Sequence, residues 1–118
     1  MARAKGAENK TQFNPVTSES ALEELFTLSN SQPVILFKHS TTCPISAAAY
    51  QQMEGYGGEV SLVVVQKARD LSRQIETLTG VRHESPQVII LRDGKAAWSA
   101  SHWDITAEAV KSEFENRQ

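Results

Sequence analysis

The chain has 118 residues, 40% of them hydrophobic and 22% charged, which fits one globular domain and is too apolar for a disordered chain. Twelve basic and fourteen acidic side chains leave a net charge of -2, so nothing draws the surface broadly to nucleic acid or to an anionic membrane. The longest apolar runs, Pro33–Phe37 and Leu62–Val65, fall far short of the ~20 residues that cross a bilayer, and the polar stretch from Met1 to Gln12 lacks the apolar core of a secretory signal; the expectation is a cytoplasmic protein.

Residues 1–12 are charged and small, without a period, and are expected to form a flexible arm ahead of a single domain over 13–118. Phe13-Asn14-Pro15-Val16 reads as a short approach segment. Thr17-Ser18-Glu19-Ser20 offers capping oxygens before Leu22, Leu25, Phe26 and Leu28, whose spacing predicts a helix near 18–29 that Asn30-Ser31-Gln32-Pro33 ends. Val34–Phe37 is apolar on both alternating faces, as in a strand buried mid-sheet, and stops at a polar loop, Lys38–Thr42. Pro44 suits the first position of a helix, where its missing N–H goes unneeded. The alanine-bearing run Ile45–Met53 continues that helix, and Gly55, Gly57 and Gly58 close it; they lack the lysine and spacing of a phosphate loop.

Val60–Gln66 has the valine content of a second buried strand. Leu71, Ile75 and Leu78 share one face of a predicted helix over Asp70–Thr79, stopped by Gly80. After Pro86 come the apolar run Gln87–Leu91, the turn pair Asp93-Gly94 and the run Lys95–Ser101, a strong hairpin signal. Thr106 is placed to cap a last helix carrying Ala109, Val110 and Phe114. The order α-β-α-β-α-β-β-α predicts parallel pairing where helices intervene and an antiparallel pair at the end. The expected architecture is α/β: a thioredoxin-like three-layer sandwich, with a mixed four-stranded sheet and helices on both faces. Trp98 and Trp103 are expected to cover that sheet. Such a fold by itself fixes no function.

The single cysteine excludes an internal disulfide and an all-cysteine zinc site within one chain. No cysteine or histidine pair has ligand spacing, so no metal site is expected. Cys43 lies between a buried strand and a helix start, where unpaired N–H groups and the helix dipole favour a thiolate, the nucleophilic form. The hydroxyls of Thr41, Thr42 and Ser46 are near enough in sequence to donate to it. Ser46 occupies the place of the second cysteine in a C-x-x-C redox motif, so a mixed disulfide at Cys43 must be resolved by an outside thiol.

Pro86 opens a strand; in a thioredoxin-like layout a proline there is cis and faces the cysteine, presenting the Ser85 backbone to an extended thiol ligand. Thr42, Pro44, Ser46, Ser85 and Pro86 are therefore the candidate substrate-binding residues. Lys38 and His39 have two readings: cations that draw an anionic ligand or favour the thiolate, or the solvated end of a strand. His83 and Glu84, beside Pro86, line the groove or are ordinary loop residues.

Two segments together, Phe37–Ser46 with its Thr-Cys-Pro-Ile-Ser core and His83-Glu84-Ser85-Pro86-Gln87, resemble the monothiol bacilliredoxins, also described as YtxJ-like general stress proteins. The resemblance runs from about Phe13 to Phe114. It implies Cys43 in the nucleophilic position, Pro86 in the cis-proline position, and bacillithiol as co-substrate, with no tightly bound cofactor. The implied activity removes bacillithiol from S-bacillithiolated client proteins, with bacillithiol or another reducing thiol partner regenerating Cys43. Alternatives are a glutathione-linked monothiol reductase, an iron–sulfur cluster carrier sharing Cys43 between two chains, and a redox-silent interaction domain. Pro44 and Ile45 place bulk where cluster-carrying relatives have small residues.

Overall fold

The computed structural model describes residues 10–115. Among the described residues, five strands, β1 (Gln12–Pro15), β2 (Val34–His39), β3 (Glu59–Val64), β4 (Gln87–Arg92) and β5 (Lys95–Ser101), are interspersed with four helices. The helices are α1 (Glu19–Leu28), α2 (Pro44–Glu54), α3 (Arg69–Thr79) and α4 (Ala107–Glu115), with a short 3-10 turn at His102–Asp104. The sheet order is β1-β3-β2-β4-β5. β1, β3 and β2 run parallel, and β4 and β5 are antiparallel to their neighbours.

The alternation of side chains along β2 and β4 sorts the core into two layers. Ile35, Phe37, Val88 and Ile90 pack with Ala49 and Met53 of α2 and Val110 of α4. Val34, Leu36, Ile89 and Leu91 pack with Leu22 of α1 and Leu71 and Ile75 of α3. The β4–β5 turn places Asp93 at φ 55° and Gly94 at φ 74°, the left-handed pair a two-residue hairpin loop needs.

The sheet has five strands, not the four expected, because the approach segment is itself β1. It is short and ends at a proline, which an edge strand tolerates, and Phe13 stacks on Tyr50 with ring centroids 4.6 Å apart. Of the expected arm, residues 1–9 lie outside the described residues, while Gln12 already pairs with Glu59. Thr11 is fixed too: its hydroxyl donates to the Met53 and Glu54 carbonyls. Trp103 does not cover the sheet; it is 69% exposed on the 3-10 turn. Leu78, in the last turn of α3, also stands clear of the core. Among the described residues no helix is long and apolar enough to cross a membrane.

Candidate active site

Cys43 is the N-cap of α2, with extended backbone at φ -108° and ψ 125°. Its carbonyl accepts the Ala47 N–H at 3.0 Å, and Pro44 fills the first helical position. The Cys43 side chain makes no capping hydrogen bond and is partly exposed. The sulfur thus stands at the positive end of a helix, beside first-turn N–H groups that have no acceptor within the helix. Reactive protein thiols occupy such partly exposed, electropositive settings.

Ser46 has no exposed surface. Its hydroxyl accepts the Ser40 N–H at 2.9 Å and lies 2.8 Å from His39 Nδ1. Expected as a substrate contact, Ser46 faces inward and ties the end of β2 and the cysteine loop to the first turn of α2. Thr42 is exposed on the loop itself, and Pro44 is exposed at the first position of α2.

One residue that the sequence did not single out holds this loop from the other side. Gln66, just past β3, accepts the Thr41 N–H at 3.2 Å and donates to the Thr41 and Thr42 hydroxyls at 3.1 and 3.2 Å.

The Ser85–Pro86 peptide is cis, and Pro86 is buried. Lys38 of β2 faces Gln87 of β4 in register, so the loops bearing Cys43 and Pro86 leave the same end of neighbouring strands. The Pro86 carbonyl accepts the His102 N–H at 3.0 Å, which fixes the turn carrying Trp103 beside the proline. The Ser85 hydroxyl is buried without a hydrogen-bond partner.

Lys38 and His39 are not the solvated end of a strand. Lys38 is fully buried and His39 is 8% exposed. β2 runs through both because each polar group finds an interior partner. Lys38 Nζ donates to Gln87 Oε1 at 2.9 Å, and Gln87 Nε2 donates to the Arg82 carbonyl at 3.0 Å. Lys38 therefore anchors the loop that leads to Pro86. His39 packs on Tyr50 and Phe37 at 4.9 and 5.5 Å between ring centroids. Burial lowers its pKa from the usual 6.5, against the opposing effect of the Ser46 hydrogen bond, so at neutral pH it is an uncharged spacer rather than a cation.

Burial also pushes the Lys38 ammonium down to about 8, from 10.5, despite the carboxylates of Glu76 and Glu84. Between those two values the unfolded chain binds the proton that the folded chain has released, so stability should rise with pH from about 8. Above pH 10.0 the buried Tyr56 phenol, whose pKa burial raises, acts in the opposite sense. Chemical denaturation at intervals from about pH 8 to pH 10 should show the rise in the wild type and not in Lys38→Met. A flat wild-type profile, or the same rise in the variant, would contradict this account of Lys38.

The same end of the sheet thus carries one partly exposed thiol at a helix start, a serine three residues on, and a cis-proline just ahead of the adjoining strand. The profile of the family described as monothiol bacilliredoxin BrxC matches residues 14–110. The chain belongs to that family. A solved structure described as a candidate oxidoreductase with a thioredoxin fold is similar at 32% identity and a TM-score of 0.80, over 88% of this chain and 94% of the other. The thioredoxin of Malassezia sympodialis matches with a TM-score of 0.70 at 12% identity, over 91% of this chain and 93% of its own. The thioredoxin of Trypanosoma brucei brucei matches at 0.69 and 12%, over 95% and 94%. These two share the fold. The chain is a thioredoxin-fold thiol oxidoreductase with a single cysteine, and its partners are thiol-redox partners.

Proposed function

We propose that the chain removes bacillithiol from protein mixed disulfides by a monothiol route. The Cys43 thiolate attacks the bacillithiol sulfur of the client's disulfide, the client sulfur leaves as a thiolate, and Cys43 becomes S-bacillithiolated. A second bacillithiol thiolate then attacks that sulfur, which yields bacillithiol disulfide and returns the Cys43 thiolate. Each step exchanges one disulfide for another, with no change in the total number of electrons. No tightly bound cofactor takes part, and bacillithiol is the co-substrate.

The observation that carries the monothiol route is the inward, fully engaged Ser46 at the position of a resolving cysteine. With no second thiol in the chain, the enzyme-bound mixed disulfide persists until a thiol from solution arrives. The Ser85 backbone, ahead of the cis-proline, and the exposed Thr42 and Pro44 supply the surface against which an extended thiol ligand lies. The bacillithiol assignment rests on family membership.

Intact-mass measurement after mixing with bacillithiol disulfide and, separately, with glutathione disulfide tests both parts. The expected result is a single adduct at Cys43 that forms faster with bacillithiol disulfide and is released by free bacillithiol. Faster reaction with glutathione disulfide would replace the named thiol, and no adduct with either would end the reading.

A further inference from the structure

A cleft of ≈ 300 Å³ lies along α3, between the end of β3 and the loop that leads to Pro86. Gln66 and His83 form part of its walls. Gln66 also holds Thr42, the residue before Cys43, and His83 is three residues ahead of Pro86. The cleft therefore adjoins both loops that frame the sulfur, although none of its lining residues belongs to either candidate site motif except His83.

Its chemistry is that of an anion site. Arg69 and Arg73 line it from successive turns of α3, four residues apart and hence on one helix face. Arg73 is paired with Asp70, but both side chains are largely exposed, at 72% and 94%; such a pair is held weakly and exchanges readily for a ligand. Glu76, the acidic group in the lining, is already engaged: it accepts the His83 N–H at 3.3 Å and faces the buried Lys38 charge.

A second, independent feature points to a ligand. Ser72, between the two arginines, also lines the cleft. It is only 5% exposed, and its hydroxyl has no hydrogen-bond partner. A buried polar group without a partner is uncommon and unfavourable. The hydroxyl oxygen is itself buried, but a serine hydroxyl turns readily between staggered positions, and turned toward the cleft it would donate to an acceptor bound there.

We infer that this cleft is a carboxylate subsite. Arg69 and Arg73 hold a carboxylate of the small thiol while its sulfur reacts at Cys43, and Ser72 donates a hydrogen bond to that carboxylate. Arginine suits this role because its planar fork matches a carboxylate in two parallel hydrogen bonds. The carboxylate takes part in no bond change; it fixes the register of the thiol on the enzyme. The inference rests on the thiol exchange proposed above but not on which small thiol is used.

The test measures second-order rate constants for adduct formation at Cys43 with glutathione disulfide, with the same disulfide after amidation of its carboxylates, and with bacillithiol disulfide. Amidation should slow the wild type about tenfold, the loss expected for a charge-assisted contact. In Arg69→Gln/Arg73→Gln that difference should collapse to less than about twofold. Lys67→Gln, which removes one positive charge on the adjoining turn but outside the cleft, should keep the wild-type difference. Ser72→Ala should narrow it partly and raise the melting temperature, since it removes an unpartnered hydroxyl and places a better helix former in α3.

Equal sensitivity to amidation in the wild type and the double arginine variant would overturn the subsite. A preserved arginine-dependent effect with slow bacillithiol disulfide would instead support the cleft and overturn the thiol named above. A wild type whose Cys43 reacts with none of the three disulfides would overturn both.

Discussion

Cys43→Ser should abolish mixed-disulfide exchange and at the same time leave the domain as stable as before, or more so. The loss follows from nucleophilicity: a serine hydroxyl at neutral pH does not attack a disulfide sulfur, and the chain holds no other thiol to take over. The gain follows from position. Cys43 is the N-cap of α2 and contributes no capping hydrogen bond. Serine is among the preferred N-cap residues because its oxygen accepts an N–H of the first turn, which is worth about 0.5–2 kcal/mol. Exchange with a disulfide, followed by intact mass, and thermal unfolding should be measured on the same preparation. Retained exchange would remove Cys43 from the site. Lost exchange with a melting temperature many degrees lower would mean that the thiol had been holding the loop together rather than reacting from it.

That N-cap geometry was legible because it is local. Cys43, Pro44 and Ser46 lie within one helical turn, so their spacing alone places a thiol at a helix start and a serine on the same face three residues later. The hairpin was legible for the same reason: Asp93-Gly94 encodes its own backbone conformation. What the sequence concealed depends on partners far along the chain. β1 has too few residues to show alternation, and it is a strand only because β3 offers it an open edge. Lys38 looks like the polar end of β2 until Gln87, 49 residues on, supplies its hydrogen bond. Gln66 reads as the end of a strand, yet it braces Thr41 and Thr42 across 25 and 24 residues. The cleft on α3 was invisible for a further reason: Ser72 sits on the helix's buried face, where a hydroxyl looks like a minor fault in an apolar stripe. Only its missing partner, together with the arginines on either side, gives it meaning.

Ser46→Cys should change the outcome of the reaction rather than its onset. Cys43 and position 46 are three apart at a helix start, where Cβ atoms stand ≈ 5–6 Å apart, close to the reach of a disulfide. The wild type should stop at an adduct of the small thiol. In the variant the second thiol attacks that mixed disulfide, the small thiol leaves, and the protein is recovered two hydrogens lighter than its reduced form with no adduct mass. The substitution also has a structural cost. The Ser46 hydroxyl accepts from Ser40 and bonds His39 inside the protein, and a thiol is a weaker partner for both. Destabilisation of about 1–3 kcal/mol is expected, and Ser46→Ala, which loses the same hydrogen bonds but gains no thiol, should show a similar loss while still stopping at the adduct. The two variants therefore separate the structural from the chemical role of this position. If the adduct persists on Ser46→Cys in a folded sample, position 46 is out of reach of the Cys43 sulfur, and the monothiol route would owe nothing to the serine.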